Sequence, residues 1–125
     1  MTMPLVLVVE DEPDLRLLYA EALREAGHEV VEAQDGLDGL KQMAADPALV
    51  VLDLLMPRAN GYEFLRCLRS SRRHRSVPVL VVSATASGRR SLIHGATRYL
   101  AKPFDIDVLT SIVREITRGG TALLE

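Results

Sequence analysis

The chain has 125 residues, 48% of them apolar, and a formal net charge of -2, which is the size of one globular domain with a full core and too short for two. No apolar stretch approaches the roughly 18 residues of a membrane span, and the N-terminus MTMPLVLVVEDE has neither a basic region nor a small-residue cleavage site, so a cytoplasmic, membrane-free setting is expected. The single cysteine, Cys67, excludes an internal disulfide and any multi-cysteine metal centre; set among Phe64, Leu65 and Leu68, it reads as a packing residue.

LVLVV (5–9) reads as a buried strand followed at once by the acids Glu10, Asp11 and Glu12. Beyond Pro13, Leu15, Leu18, Tyr19, Ala22, Leu23 and Ala26 recur at helical spacing as a core stripe that stops at Gly27. EVVEA (29–33) predicts a second strand, and Leu37, Leu40 and Ala44 predict a helix over 36–45. ALVVL (48–52) is a third, almost wholly apolar strand with Asp53 at its end, and Phe64, Leu65 and Leu68 stripe a helix over 60–71. VPVLVV (77–82) ends at Ser83, and the weaker TRYLA (97–101) ends at Lys102. Leu109, Ile112, Val113 and Ile116 mark a last helix; Gly119-Gly120 beyond it makes 119–125 a tail or the start of a linker on a single domain 1–125. Five alternations of strand and helix, with wholly apolar central strands, predict an α/β fold: a doubly wound parallel sheet with helices on both faces.

Charge is lopsided along the chain: residues 1–63 hold 13 acids and 4 bases, residues 64–125 hold 4 acids and 11 bases. The basic half includes RRHR (72–75) and Arg89-Arg90. No aromatic residues interleave with these arginines for base stacking, and the first run follows a helix whose C-terminal dipole favours cations, so direct nucleic-acid binding is not expected.

In open α/β sheets the functional crevice lies beyond the carboxyl ends of the strands. Glu10, Asp11, Asp53, Ser83 and Lys102 all fall there. Each alone has a plainer explanation: Asp11 or Glu12 as a helix cap, Ser83 as another cap, Lys102 as a solvated loop lysine. As a set they suggest chemistry. If the first and third strands are neighbours, three carboxylates converge and repel one another unless a cation joins them, and an oxygen-only ligand set suits Mg²⁺ better than zinc. An aspartate beside such an ion can attack phosphorus and form an aspartyl phosphate, with Lys102 neutralising phosphoryl charge and Ser83 donating a hydrogen bond to it.

VVEDE (8–12), DLLMPRANG (53–61), VVSA (81–84) and GATRYLAKPF (95–104) resemble the receiver domain of two-component response regulators, over essentially the whole chain. The resemblance implies strand order 2-1-3-4-5. It implies Asp53 as phosphoacceptor; Glu10, Asp11, Asp53 and the backbone carbonyl of Leu55 as metal ligands; Ser83 and Tyr99 as switch residues; Lys102 as the site lysine; and a cis Lys102-Pro103 bond. It further implies transfer from a histidine kinase or histidine phosphotransfer protein. The domain would catalyse its own phosphorylation and dephosphorylation, and signal by a change of conformation to an output partner or fused domain that the sequence does not specify. A homodimer stays open. Two alternatives fit less well. A haloacid-dehalogenase-type phosphatase wants an acid two residues after its nucleophile, where this chain has Leu55, and a receiver-like module that is never phosphorylated would not need the complete residue set.

Two departures stand out. Only 18 residues separate Ser83 from Lys102, about three fewer than the family pattern, or nearly one helical turn. TASGRRSLIH (85–94), with Gly88 inside it and little apolar periodicity, predicts at most a short or irregular fourth helix and an output face not built on it. Leu55 and Thr85, at positions that orient attacking water in receivers, offer no carboxylate or amide, which predicts a long-lived phosphoryl state.

Overall fold

Apolar runs of five residues without internal charge bury both faces of a strand, and three of the five strands here are of that kind. A computed structural model describes residues 3–54, 61–84, 90–92 and 94–124, with side chains to residue 118. Strands β1 (Leu5–Val9), β2 (Glu29–Ala33), β3 (Leu49–Asp53), β4 (Val79–Ser83) and β5 (Arg98–Ala101) form one sheet in the order β2-β1-β3-β4-β5, all parallel. The described helices are α1 (Pro13–Glu25), α2 (Gly36–Gln42, continued as a 3₁₀ turn over Met43–Ala45), α3 (Gly61–Ser70) and α4 (Ile106–Leu124). The expected doubly wound fold and strand order are both present. β3 and β4 run one residue further than the apolar runs suggested, so that Asp53 and Ser83 are themselves strand residues.

Period-two alternation divides the core into two layers. Leu7, Val9, Val50, Leu52, Val79 and Val81 face α2 and α3 through Met43, Phe64, Leu65 and Leu68. Val6, Val8, Leu49, Val51, Leu80 and Val82 face α1 and α4 through Tyr19, Leu23, Leu109 and Val113. Each such fully buried Val or Leu contributes about 1.5–3 kcal/mol, which holds the strand ends rigid enough to position polar groups. Entry into α1 is fixed by Pro13 and by Glu12, whose carboxylate accepts from the Asp14 N–H at 3.2 Å. Asp35 caps α2 in the same manner at 2.8 Å.

The helical stripes are narrower than the sequence suggested. Leu18 is 49% exposed and Leu37 is 64% exposed, while Ala44 and Cys67 also face outward. At 3.6 residues per turn, Cys67 lies about 100° from the centre of the Phe64–Leu65–Leu68 face, and Leu18 lies further still from the Tyr19–Leu23 line. Cys67 is therefore an exposed thiol and not a packing residue. Residues 85–89 and 93, on which the expectation of an irregular fourth helix rests, lie outside the described residues, as does Leu55. Among the described residues no helix is long and apolar enough to cross a membrane.

Candidate functional site

The alternation that builds the core also sorts the polar residues at the strand ends. Glu10 continues the register of Val6 and Val8, Asp53 that of Leu49 and Val51, and Lys102 that of Leu100, so all three fall on the α1/α4 side. The contacts follow: Lys102 Nζ lies 3.4 Å from Glu10 Oε1 and 3.6 Å from Asp53 Oδ2. Ligand oxygens of Glu10, Asp11 and Asp53 lie within 4.8 Å of one another. Pairing of β1 directly with β3 brings the acids together, as the carboxylate argument required. Ser83 follows Val79 and Val81, and Tyr99 packs against the same layer, so the hydroxyl and the aromatic fall on the α2/α3 side. The backbone N–H of Lys102 donates to the Ser83 carbonyl at 2.8 Å, which ties the lysine to the end of β4. The Lys102-Pro103 peptide bond is cis, as expected.

Burial makes this corner electrostatically tense. Glu10 is 1% exposed and Asp53 is 5% exposed. Desolvation, helped by the Asp53 charge, pushes the Glu10 carboxyl up to about 7, against the pull of the Glu12 backbone N–H and Lys102. Tyr19, stacked on Phe104 with ring centroids 5.8 Å apart, lies close enough to feel both acids. Its phenol is pushed up to about 12 by burial, then by Glu10 and Asp53. One lysine faces three acids, and the surplus negative charge calls for a cation with oxygen affinity.

Sequence reasoning missed several supports. Gly61 donates its N–H to the Leu54 carbonyl at 3.0 Å. A Cβ there would meet Leu54 Cα at 2.7 Å and the Asp53 carbonyl at 2.8 Å, so only glycine lets α3 start against the end of β3. Its place in the DLLMPRANG motif was the available signal. Tyr19 was read only as core, and Arg16 not at all, although its Nη1 donates to the Glu10 carbonyl at 2.9 Å. The cavity lined by Tyr62, Glu63, Arg66, Arg69, Ser70, Arg90 and His94, about 630 Å³, contains none of the sheet-edge acids.

Comparison with known proteins agrees with this geometry. The model of the response regulator receiver domain matches residues 6–114. Transcriptional regulatory protein TcrA of Mycobacterium tuberculosis is 38% identical over 119 residues, covering 92% of this chain and 46% of that protein. The DNA-binding dual master transcriptional regulator RpaA of Synechocystis sp. is 32% identical over 120 residues, covering 93% of this chain and 50% of that protein. The chain thus spans about half the length of these regulators. Among solved structures, the chemotaxis protein CheY4 of Vibrio cholerae superimposes with a TM-score of 0.85 at 28% identity, over 92% of this chain and 99% of that one. The Francisella response regulator 1452 receiver domain also gives 0.85, at 29% identity over 94% and 98% of the two chains. This chain belongs to the response regulator receiver domain family, the phosphoacceptor signalling domains of two-component systems.

Proposed function

We propose that Asp53 is the phosphoacceptor, taking a phosphoryl group from a phosphohistidine on a histidine kinase or histidine phosphotransfer protein in the cytoplasm. The observation that carries this reading is the convergence of three carboxylates and one lysine at the carboxyl edge of the sheet. The donor set fits a hard divalent cation, since it offers only carboxylate oxygens and since burial, helped by the Asp53 charge, pushes the Glu10 carboxyl up to about 7. Glu10, Asp11 and Asp53, with the Leu55 carbonyl, are the residues that would hold Mg²⁺. When bound, Mg²⁺ supplies charge neutralisation for the phosphoryl oxygens.

The chain's own residues do the rest. A carboxylate oxygen of Asp53 forms the new bond to phosphorus as the bond from phosphorus to the donor imidazole breaks, and the imidazole leaves with its electron pair. Lys102, already 3.6 Å from Asp53 Oδ2, compensates phosphoryl charge, and Ser83 at the end of the adjacent strand donates its hydroxyl to a phosphoryl oxygen. Ser83 and Tyr99, sharing the opposite side of the sheet, carry the switch to a second conformation. Hydrolysis of the aspartyl phosphate closes the cycle, and Leu55 and Thr85, lacking groups to orient water, make that step slow. The output runs through a partner or a fused domain, residues 1–125 being read as a single receiver unit in which α4 continues to Leu124, through most of the 119–125 stretch read from the sequence as a tail or the start of a linker. No direct nucleic-acid contact by this domain is part of the reading.

The test is intact-mass spectrometry after incubation with acetyl phosphate and Mg²⁺. One added phosphoryl group on the parent and none on Asp53→Asn is the expected result; equal labelling of both would overturn the assignment.

A further inference from the structure

We propose that Arg16, braced by Glu32, is a positioning residue that sets the angle of the metal-binding acid pair; the inference rests on the proposed metal site. Glu10 and Asp11 are joined by one peptide group, and its orientation decides whether both carboxylates reach the same point. The Glu10 N–H still belongs to the sheet, donating to the Ala33 carbonyl of β2 at 3.1 Å, one rung beyond the last strand residue. Its carbonyl is taken by Arg16 instead, with Nη1 at 2.9 Å. The peptide between the two acids is therefore held by a side chain from α1 at the point where the ladder stops.

Arg16 is itself fixed from two directions. Its own N–H donates to the Glu12 carbonyl at 2.9 Å, the first helical bond of α1. Its Nε pairs with Glu32 Oε1 at 3.6 Å, and the other oxygen of Glu32 meets Arg24 Nη2 at 3.3 Å. Arg24 in turn donates to the Val30 carbonyl at 3.2 Å. Both sides of the Arg16–Glu32 pair are largely covered, at 20% and 30% exposed, so the guanidinium fork is held in one geometry rather than sampling many. The chain of contacts runs from the edge strand β2 to the peptide between Glu10 and Asp11. Lysine at 16 could reach the carbonyl but not pair with Glu32 in the same geometry.

A plainer role exists: Arg16 satisfies a buried backbone acceptor that would otherwise be costly. That role would lower stability equally with and without metal. A positioning role must change metal affinity itself, as groups that orient ligands do by about tenfold or more. The experiment follows melting temperature against MgCl₂ from an EDTA baseline for the parent, Arg16→Gln, Arg16→Lys and Glu32→Gln. The expected result is a half-saturating Mg²⁺ concentration about tenfold higher for Arg16→Gln, a smaller rise for Arg16→Lys, and a smaller rise for Glu32→Gln. A parent that responds to Mg²⁺ while all folded variants keep its half-saturating concentration overturns the positioning role and leaves the metal site standing. A parent that does not respond overturns the metal site and this inference together. If Arg16→Gln does not fold, Arg16→Lys and Glu32→Gln decide alone.

Discussion

The two edges of the sheet use polar residues in opposite ways. At the amino edge they close on the backbone: Arg69 donates to the carbonyls of Gly95, Arg75 and Val77 at 2.8, 3.0 and 2.7 Å. Asp46, in a left-handed conformation at the end of the 3₁₀ turn, is gripped by Arg73 and His74 from the segment that leads into β4. At the carboxyl edge three acids crowd round one lysine, and the Glu10 carboxyl is forced up to about 7. At the first edge the chain itself supplies partners for Arg69 and Asp46, with His28 the exception among the described residues; at the second the acids outnumber the lysine that faces them. The same scaffold can be stable at one end because it is rigid there, and reactive at the other because charge was left uncompensated.

The sharpest break between the edges is a pair of charge removals. Asp53→Asn is expected to abolish phosphoryl incorporation from acetyl phosphate, whereas Asp46→Asn should leave its extent unchanged and lower only stability. Labelling followed by mass spectrometry and thermal melting on both variants separates the two roles, and loss of labelling in Asp46→Asn would erase the distinction.

The next effect is on pH dependence at the carboxyl edge. Glu10 has a folded pKa of about 7 against an ordinary value of 4.5. Its protonated form is favoured in the fold, so the associated stability is complete below about 4.5 and is lost as pH rises toward 7. At about 1.4 kcal/mol per pKa unit, the loss in metal-free buffer is on the order of 3 kcal/mol. Urea unfolding in EDTA between these limits should show it. Mg²⁺ should restore the lost stability at neutral pH, and Glu10→Gln should remove both the pH slope and the response to Mg²⁺. A slope that survives in Glu10→Gln would place the titrating group elsewhere.

Gly61→Ala is expected to cost about 1–3 kcal/mol, the range for a forced fit in packed surroundings. The clash is with the Asp53 carbonyl and Leu54 Cα, so the substitution should also slow phosphorylation. Gly27→Ala at the amino edge meets no atom within 4 Å, and its cost comes only from a φ of +99°. Slowed phosphorylation in the Gly27 variant as well would mean that the damage is general rather than local to Asp53.

Much of the carboxyl edge was legible because a charge inside an apolar run is conspicuous: Asp53 at the end of ALVVL, Glu10 at the end of LVLVV, Lys102 after TRYLA. Alternation alone places these three on one side of the sheet, and the ion-pair distances bear that out. The braces were not legible. Arg16 sits on an amphipathic helix whose charged residues are solvated by default, and its carbonyl partner leaves no mark in the sequence. Leu18, Leu37 and Cys67 were misread because an apolar stripe records helical spacing without recording how wide a strip the sheet covers. His28, between Gly27 and Glu29, carries no pattern at all, yet it is only 4% exposed.

That histidine gives the smallest effect and the opposite sign. His28 lies at the amino edge, just before β2, and neither of its ring nitrogens has a hydrogen-bond partner among the described residues. Burial, then the charge of Arg114, lowers its pKa below the ordinary 6.5, while the Pro4 carbonyl pulls the other way without making a bond of acceptable geometry. A group whose folded pKa is depressed in this sense must stay neutral in the fold. Its contribution is intact above about 6.5 and is lost as pH falls through the lower folded value. Acid therefore relieves the carboxyl edge through Glu10 and loads the amino edge through His28. His28→Leu removes two buried polar atoms that lack partners and should raise stability by about 1 kcal/mol at neutral pH, with a larger gain below pH 6. In metal-free buffer the parent should show a stability maximum on the acid side of neutrality, and His28→Leu should shift that maximum further toward acid. Unfolding curves of the two proteins across pH 4.5–8 in EDTA decide it: superimposable acid limbs would show that folding leaves the His28 pKa where it is in the unfolded chain.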